Sequence, residues 1–151
     1  YENDDVNFQV YGGLYNFYAA VDERGLCPSG WSVPSDFEWM ALETFIGVPE
    51  NQLELIEWRA SGYGPILMSS PEDSPAWVGT NLVGFNGLPG GYRQSDVFAA
   101  GFFDEGALWW SSSQENGNSW FRHLKEGQSG IRRAIGNQLQ GFSIRCLKDA
   151  E

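Results

Sequence analysis

From Gly62 to Gly106 the chain never sustains the three-to-four-residue apolar spacing of a helix. It is broken instead by glycine, proline and serine, most densely in Ser69-Ser-Pro-Glu-Asp-Ser-Pro75, which reads as a turn-forming loop. A stretch this long and irregular inside a compact chain is usually functional or disordered. Nineteen glycines and seven prolines in the whole chain likewise argue against long helices and for many turns.

The segments before Gly62 carry the helix signals. Ser35-Asp-Phe-Glu38 reads as a capping box: the Ser35 hydroxyl accepts from the Glu38 amide and the Glu38 carboxylate reaches back. A helix is predicted from there to Phe45 or Ile46, ended by Gly47, with Trp39, Leu42 and Ile46 on one face. Pro49 is predicted to open a second helix running to about Trp58, with Leu53 and Ile56 inward. Residues 1–7 read as a polar lead-in, loose over the acidic residues 1–5, and 8–20 as an aromatic strand broken at Gly12-Gly13. After the irregular region, short strands are predicted at about 107–112, 119–125, 130–135 and 141–147. Alternation is clearest in the last, where Phe142, Ile144 and Cys146 share a face. The length of 151 residues suits one core, and no internal repeat is present.

Charge narrows the function classes. Residues 1–75 hold 13 acidic and 2 basic side chains, and residues 76–151 hold 7 of each, so the whole net charge of −11 lies in the first half. Nucleic-acid binding needs a basic surface, and anionic membranes attract one; neither partner is expected. No apolar run approaches the roughly 20 residues that span a bilayer, so no membrane insertion is expected. With no initiating Met and no signal-peptide pattern, the chain reads as a mature or excised domain.

Five segments, in fixed order, carry a resemblance. They are Tyr11-Gly-Gly-Leu-Tyr-Asn-Phe-Tyr-Ala-Ala20, Leu26-Cys-Pro-Ser-Gly-Trp-Ser-Val-Pro-Ser-Asp-Phe-Glu-Trp39, Gly84-Phe-Asn-Gly-Leu-Pro-Gly-Gly-Tyr-Arg93, Leu108-Trp-Trp-Ser-Ser-Ser113 and Gly141-Phe-Ser-Ile-Arg-Cys-Leu-Lys-Asp149. Together they resemble the Fibrobacter succinogenes major paralogous domain, which looks like a branch of the C-type lectin-like superfamily. The resemblance implies an α+β, C-type lectin-like fold over residues 8–149, with two helices packed on small antiparallel sheets and a long irregular loop region. That fold serves mainly to display variable binding surfaces.

The two cysteines, Cys27 and Cys146, form no C-x-x-C pair, and from the residues alone a bridge and two separate buried thiols both stand. The resemblance implies a Cys27–Cys146 disulfide, hence an oxidising compartment and an extracellular or cell-surface location. Formylglycine-generating oxidases share a related fold and a motif like Val33-Pro-Ser-Asp-Phe-Glu-Trp39, but they need reactive cysteines. With both cysteines tying the termini, that activity ranks as a distant third.

Catalytic signatures are missing from the sequence: there is no G-x-S-x-G, H-E-x-x-H or P-loop pattern. The single His123, in Trp120-Phe-Arg-His-Leu124, reads as an exposed or half-buried strand residue. The acidic pairs Asp22-Glu23, Glu72-Asp73 and Asp104-Glu105 read as solvated turns. No enzyme is expected and no cofactor is required. Calcium is the one ion for which oxygens are to hand, from Ser69–Pro75 and Asn81, although the lectin triplets Glu-Pro-Asn and Gln-Pro-Asp do not occur and no EF-hand spacing is present.

What remains is a binding surface. Trp109-Trp-Ser-Ser-Ser-Gln-Glu-Asn-Gly-Asn-Ser-Trp120 interleaves aromatics with hydroxyls and amides. A flat ring stacks on the apolar face of a pyranose while Asn, Gln and Ser meet its hydroxyls; the same mixture suits protein recognition. The expected ligand-binding residues are Trp109, Asn116, Asn118, Trp120, Arg122, Arg132 and Asn137, with the three arginines 122, 132 and 133 as carboxylate clamps. Because strand neighbours point to opposite faces, at least one of Trp109 and Trp110 is expected in the core. Arg93 and Arg145 read as structural, pairing with acids of the first half. The expected function is a non-catalytic carbohydrate-binding or adhesive module of an exported bacterial protein. The alternative is a protein-binding display domain with a flat exposed patch over 108–140. The expected partner is a glycan or an extracellular protein, and the expected state a monomer or one part of a larger multidomain protein.

Overall fold

A computed structural model describes residues 5–94 and 106–150. The elements run α1 (Asp5–Tyr11), α2 (Phe17–Ala20), β1 (Trp31–Ser32), α3 (Asp36–Phe45), α4 (Glu50–Leu53), β2 (Glu57–Arg59), α5 (Gly64–Leu67), β3 (Ala107–Glu115), β4 (Asn118–Leu124), β5 (Ile131–Gly136) and β6 (Leu147–Lys148). The architecture is α+β: one four-stranded antiparallel sheet in the order β2-β5-β4-β3, and a two-stranded ribbon pairing β1 with β6.

The capping box forms as read. The Ser35 hydroxyl accepts from the Glu38 amide, Glu38 accepts from the Ser35 amide, and the chain leaves the helix through Gly47 at φ +98°. Trp39 is buried, with Leu42 and Ile46 packed beside it. Sheet and helix bury two apolar clusters, one on each face of the sheet. Trp109, Ala107, Leu124 and Ile131 meet Trp39, Leu67 and Met68; Leu108, Trp110, Phe121 and Ala134 meet Phe17 and Phe142. The split follows from strand alternation: odd residues of β3 go to one side and even residues to the other.

Three local expectations are corrected. The run 8–20 is not a strand. It forms α1 and α2, joined through Gly12 at φ +76°, and only Tyr15 bridges a strand-like partner, Phe142. Aromatic β-propensity gives way here because Asn16 caps α2, its side chain accepting from the Ala19 amide. The lead-in is helical from Asp5 onward, while residues 1–4 lie outside the described residues. The second helix stops at Leu53. Glu57 has φ +66°, and Glu57–Arg59 pairs with Ile131–Arg133 as the sheet edge, leaving Ile56 63% exposed. A strand edge offering hydrogen bonds overrides a weak helical period.

The last segment is also more broken than expected. Gly141, Phe142 and Ser143 make single bridges to Arg93, Tyr15 and Trp109, and the ribbon strand β6 begins only at Leu147. Phe142 and Ile144 share the second cluster. Cys27 and Cys146 form a disulfide with their Cα atoms 5.8 Å apart, 119 residues apart in sequence. Together with the β1–β6 ribbon, it ties the beginning of the fold to its end.

Candidate functional site

The β3–β4 hairpin turns at Asn116-Gly117, with φ +50° and +77°. Two successive left-handed residues make the tight turn whose twist matches the strands, and Asn-Gly is the pair that adopts it at least cost. The register then pairs Trp120 with Ile135 and Ser119 with Gly136, so Trp120 and Ile135 stand on one face. One step outward come Asn118 and Asn137. Trp120 and Asn118 are half-buried; Asn116, Asn137 and Ile135 are exposed. The loop after β5 is fastened to the hairpin, with the Gln138 amide donating to Ser119 Oγ at 3.1 Å and to Gln114 Oε1 at 3.3 Å.

The Trp120 ring is held from below. The Arg133 guanidinium carbon lies 3.7 Å from the ring centroid, a cation–π stack. Arg133 is itself anchored: Nη2 donates to Asp36 Oδ2 at 2.6 Å and Nη1 to the Glu54 carbonyl at 2.8 Å. Asp36 also accepts from Arg122 at 2.7 Å. Glu43 accepts from both Arg122, at 2.7 Å, and Arg59, at 2.6 Å. Two carboxylates of α3 thus hold three arginines of β2, β4 and β5 between helix and sheet. Burial opposes ionisation of Asp36, but the Arg133 hydrogen bonds and the Arg122 charge outweigh it and hold its carboxyl below the ordinary carboxylate range. Burial lowers the Arg59 pKa, against the Glu43 charge.

The seven expected ligand residues separate into three groups. Asn116, Asn118, Trp120 and Asn137 gather at the hairpin end. Trp109 and Arg122 do not join them. Trp109 is 5% exposed and packs against Trp39 and Phe85, and Arg122 is buried with Asp36 and Glu43. Both tryptophans of the pair are core, Trp110 at 0% with its indole nitrogen donating to the Tyr15 carbonyl, because both faces of the sheet are covered here. The patch expected over 108–140 therefore shrinks to its hairpin end. Arg132 points to the opposite face, where it pairs with Glu57 at 2.7 Å. There it borders a 230 Å³ cleft with Tyr92, His123 and Gln140.

His123 is on a strand but buried, its ring centre 5.1 Å from that of Trp58. The Arg145 guanidinium stacks over Phe85 at 4.5 Å, and Arg93 joins Gly141 through paired backbone hydrogen bonds. Asp22 pairs with Arg24 across a turn, and Glu72 is exposed. Asp104-Glu105 lies outside the described residues. Two of the oxygens considered for calcium accept from amides: Asp73 Oδ2 from Ser70 N at 2.7 Å and Asn81 Nδ2 at 3.1 Å, and Asn81 Oδ1 from Asn86 N at 2.8 Å. Among the described residues, no group of three or more His, Cys, Asp or Glu is placed to hold a metal ion, and no helix is long and apolar enough to cross a membrane.

Sequence reasoning missed Asp36, Glu43 and Arg59. A signal was present: Glu43 stands four residues after Trp39, on the helix's inward face, and a charge there calls for a buried partner.

Comparison with known proteins gives the family. The family model of the Fibrobacter succinogenes major domain matches residues 1–148, and the chain belongs to that family of bacterial domains. No curated protein and no solved structure matches the chain.

Proposed function

We propose that this chain is a non-catalytic saccharide-binding module with a C-type lectin-like fold, working in adhesion outside the bacterial cytoplasm. The observation that carries the reading is Trp120. Its ring is backed by Arg133, half-buried, and set among Asn118, Asn137 and the Asn116 turn. A pinned indole offers a flat apolar surface with little ordering cost on binding. Neighbouring amides supply both donors and acceptors for ring hydroxyls.

The lectin-like assignment is supported by the disulfide and ribbon that join the two ends, and by the irregular run over residues 68–94. The disulfide supports a location in an oxidising compartment, which we take to be the cell exterior. A second reading, binding of an extracellular protein, is favoured by Ile135, which stands 47% exposed beside Trp120.

A glycan-array screen of the oxidised protein tests the reading, run with calcium and with chelator. Binding that survives chelation is expected, because among the described residues no group of three or more His, Cys, Asp or Glu is placed to hold a metal ion. No signal from folded, oxidised protein would overturn the saccharide reading; a signal lost on chelation would keep it and add a calcium ion to the site.

A further inference from the structure

Helix α3 is apolar on two sides. Trp39, Leu42 and Ile46 face the core, while Phe37, Ala41 and Phe45 follow one another at four-residue spacing on the opposite, solvent side. Phe37 is 74% exposed and Phe45 76%. Isolated exposed apolar residues are normal, but two phenylalanines in line are a patch. At 150–250 Å² for a whole aromatic side chain, the pair presents about 300 Å² of apolar surface.

The stretch of chain that carries the stripe is of one sign. Between Arg24 and Arg59 the sequence has six acidic residues and no lysine or arginine. Asp36 and Glu43 are neutralised by the buried arginines, but Glu38, Glu50 and Glu54 are exposed. We infer that the Phe37–Ala41–Phe45 stripe docks a cationic amphipathic segment of a partner protein, its apolar side chains meeting the phenylalanines and its basic ones meeting the glutamates.

A second copy of this chain fits less well. Self-pairing through α3 would set glutamates against glutamates. The stripe also falls well short of the roughly 800 Å² per partner that a stable interface buries. A short basic segment needs less area and brings the complementary charge. The surface is independent of the Trp120 reading, since it uses none of the hairpin-end residues.

The test is an NMR titration of the oxidised protein with a synthetic amphipathic leucine–lysine helix and its leucine–glutamate counterpart. The cationic peptide is expected to bind, with backbone shifts concentrated on Asp36–Phe45 and affinity weakening as salt is raised; the acidic peptide is expected not to bind. The double variant Phe37→Ser, Phe45→Ser should lose at least about tenfold in affinity, and Phe37→Leu, Phe45→Leu should retain most of it. Shift mapping on the unaltered protein decides the matter even if a variant folds poorly. Absence of binding, shifts spread over other acidic surface, or affinity untouched by the serine substitutions would overturn the inference. So would a concentration-dependent dimer abolished by those substitutions, which would make the occupant a second copy.

Discussion

The Arg133 guanidinium lies 3.7 Å from the centre of the Trp120 ring, and its far edge lies 2.6 Å from Asp36. The half-buried Trp120 ring is therefore fixed, through one arginine, to the first turn of α3. The proposed site at the hairpin end and the ion network between helix and sheet share a residue.

Replacing that residue separates the two. Arg133→Lys keeps the charge but loses the planar stack and the forked bonds to Asp36. Without that backing the Trp120 ring must be ordered on binding, which costs about 1 kcal/mol, so saccharide affinity should fall roughly fivefold. The Trp120 indole resonance should shift, while the thermal transition remains cooperative. Unchanged affinity would show that the ring does not depend on its backing.

Glu43 makes the harsher prediction. Its two oxygens serve Arg122 and Arg59, all three side chains buried. Glu43→Gln leaves two buried guanidinium groups short of a counter-charge, which costs about 3–5 kcal/mol. Urea unfolding should show a large drop in midpoint with an unchanged slope. A loss below about 1 kcal/mol would mean that the network is far better hydrated than its burial implies.

Acid should loosen the same network. The Asp36 carboxyl titrates below its ordinary value of 3.8 in the folded chain. Its contribution to stability is thus present above that pH. As pH falls further, the unfolded chain takes up a proton that the folded chain refuses, and the contribution is lost as pH passes through the folded value. Urea midpoints recorded downward from pH 5 should fall steeply below about pH 4. Asp36→Asn, less stable throughout, should show a shallower fall.

The disulfide constrains a loop of 119 residues. In the chain-entropy model, closing it contributes about 5 kcal/mol. The Cys27→Ser, Cys146→Ser variant should therefore unfold at markedly lower urea, and reduction of the native protein should reproduce most of that loss. Equal stability of the oxidised and reduced forms would contradict the role assigned to the bridge.

Much of the fold was legible because its signals are local. The capping box at Ser35 and the glycine after Ile46 marked α3, and β3, β4 and β5 lie within a residue or a few of the short strands expected there, whereas the clearest alternation, at 141–147, marked single bridges. What failed was decided at a distance. Glu57–Arg59 is a strand because β5 lies beside it, which no window around Ile56 contains. Trp109 is buried because α3 and the loops carrying Met68 and Phe85 cover the face it points to. Arg132 and Arg133 look alike in sequence, yet alternation sends one to the Glu57 side and the other beneath Trp120. Asn116, Asn118 and Asn137 come together through the Asn116-Gly117 turn and the strand register, which sequence reasoning missed.

The account rests on Trp120 as the binding platform. The direct measurement is calorimetric titration of the saccharide identified on the array into the oxidised wild-type protein, Trp120→Ala and Trp120→Phe. The account predicts that Trp120→Ala loses at least about tenfold in affinity, ~1.4 kcal/mol, and that Trp120→Phe keeps most of it, both with cooperative thermal transitions. Equal affinity for wild type and Trp120→Ala would contradict it.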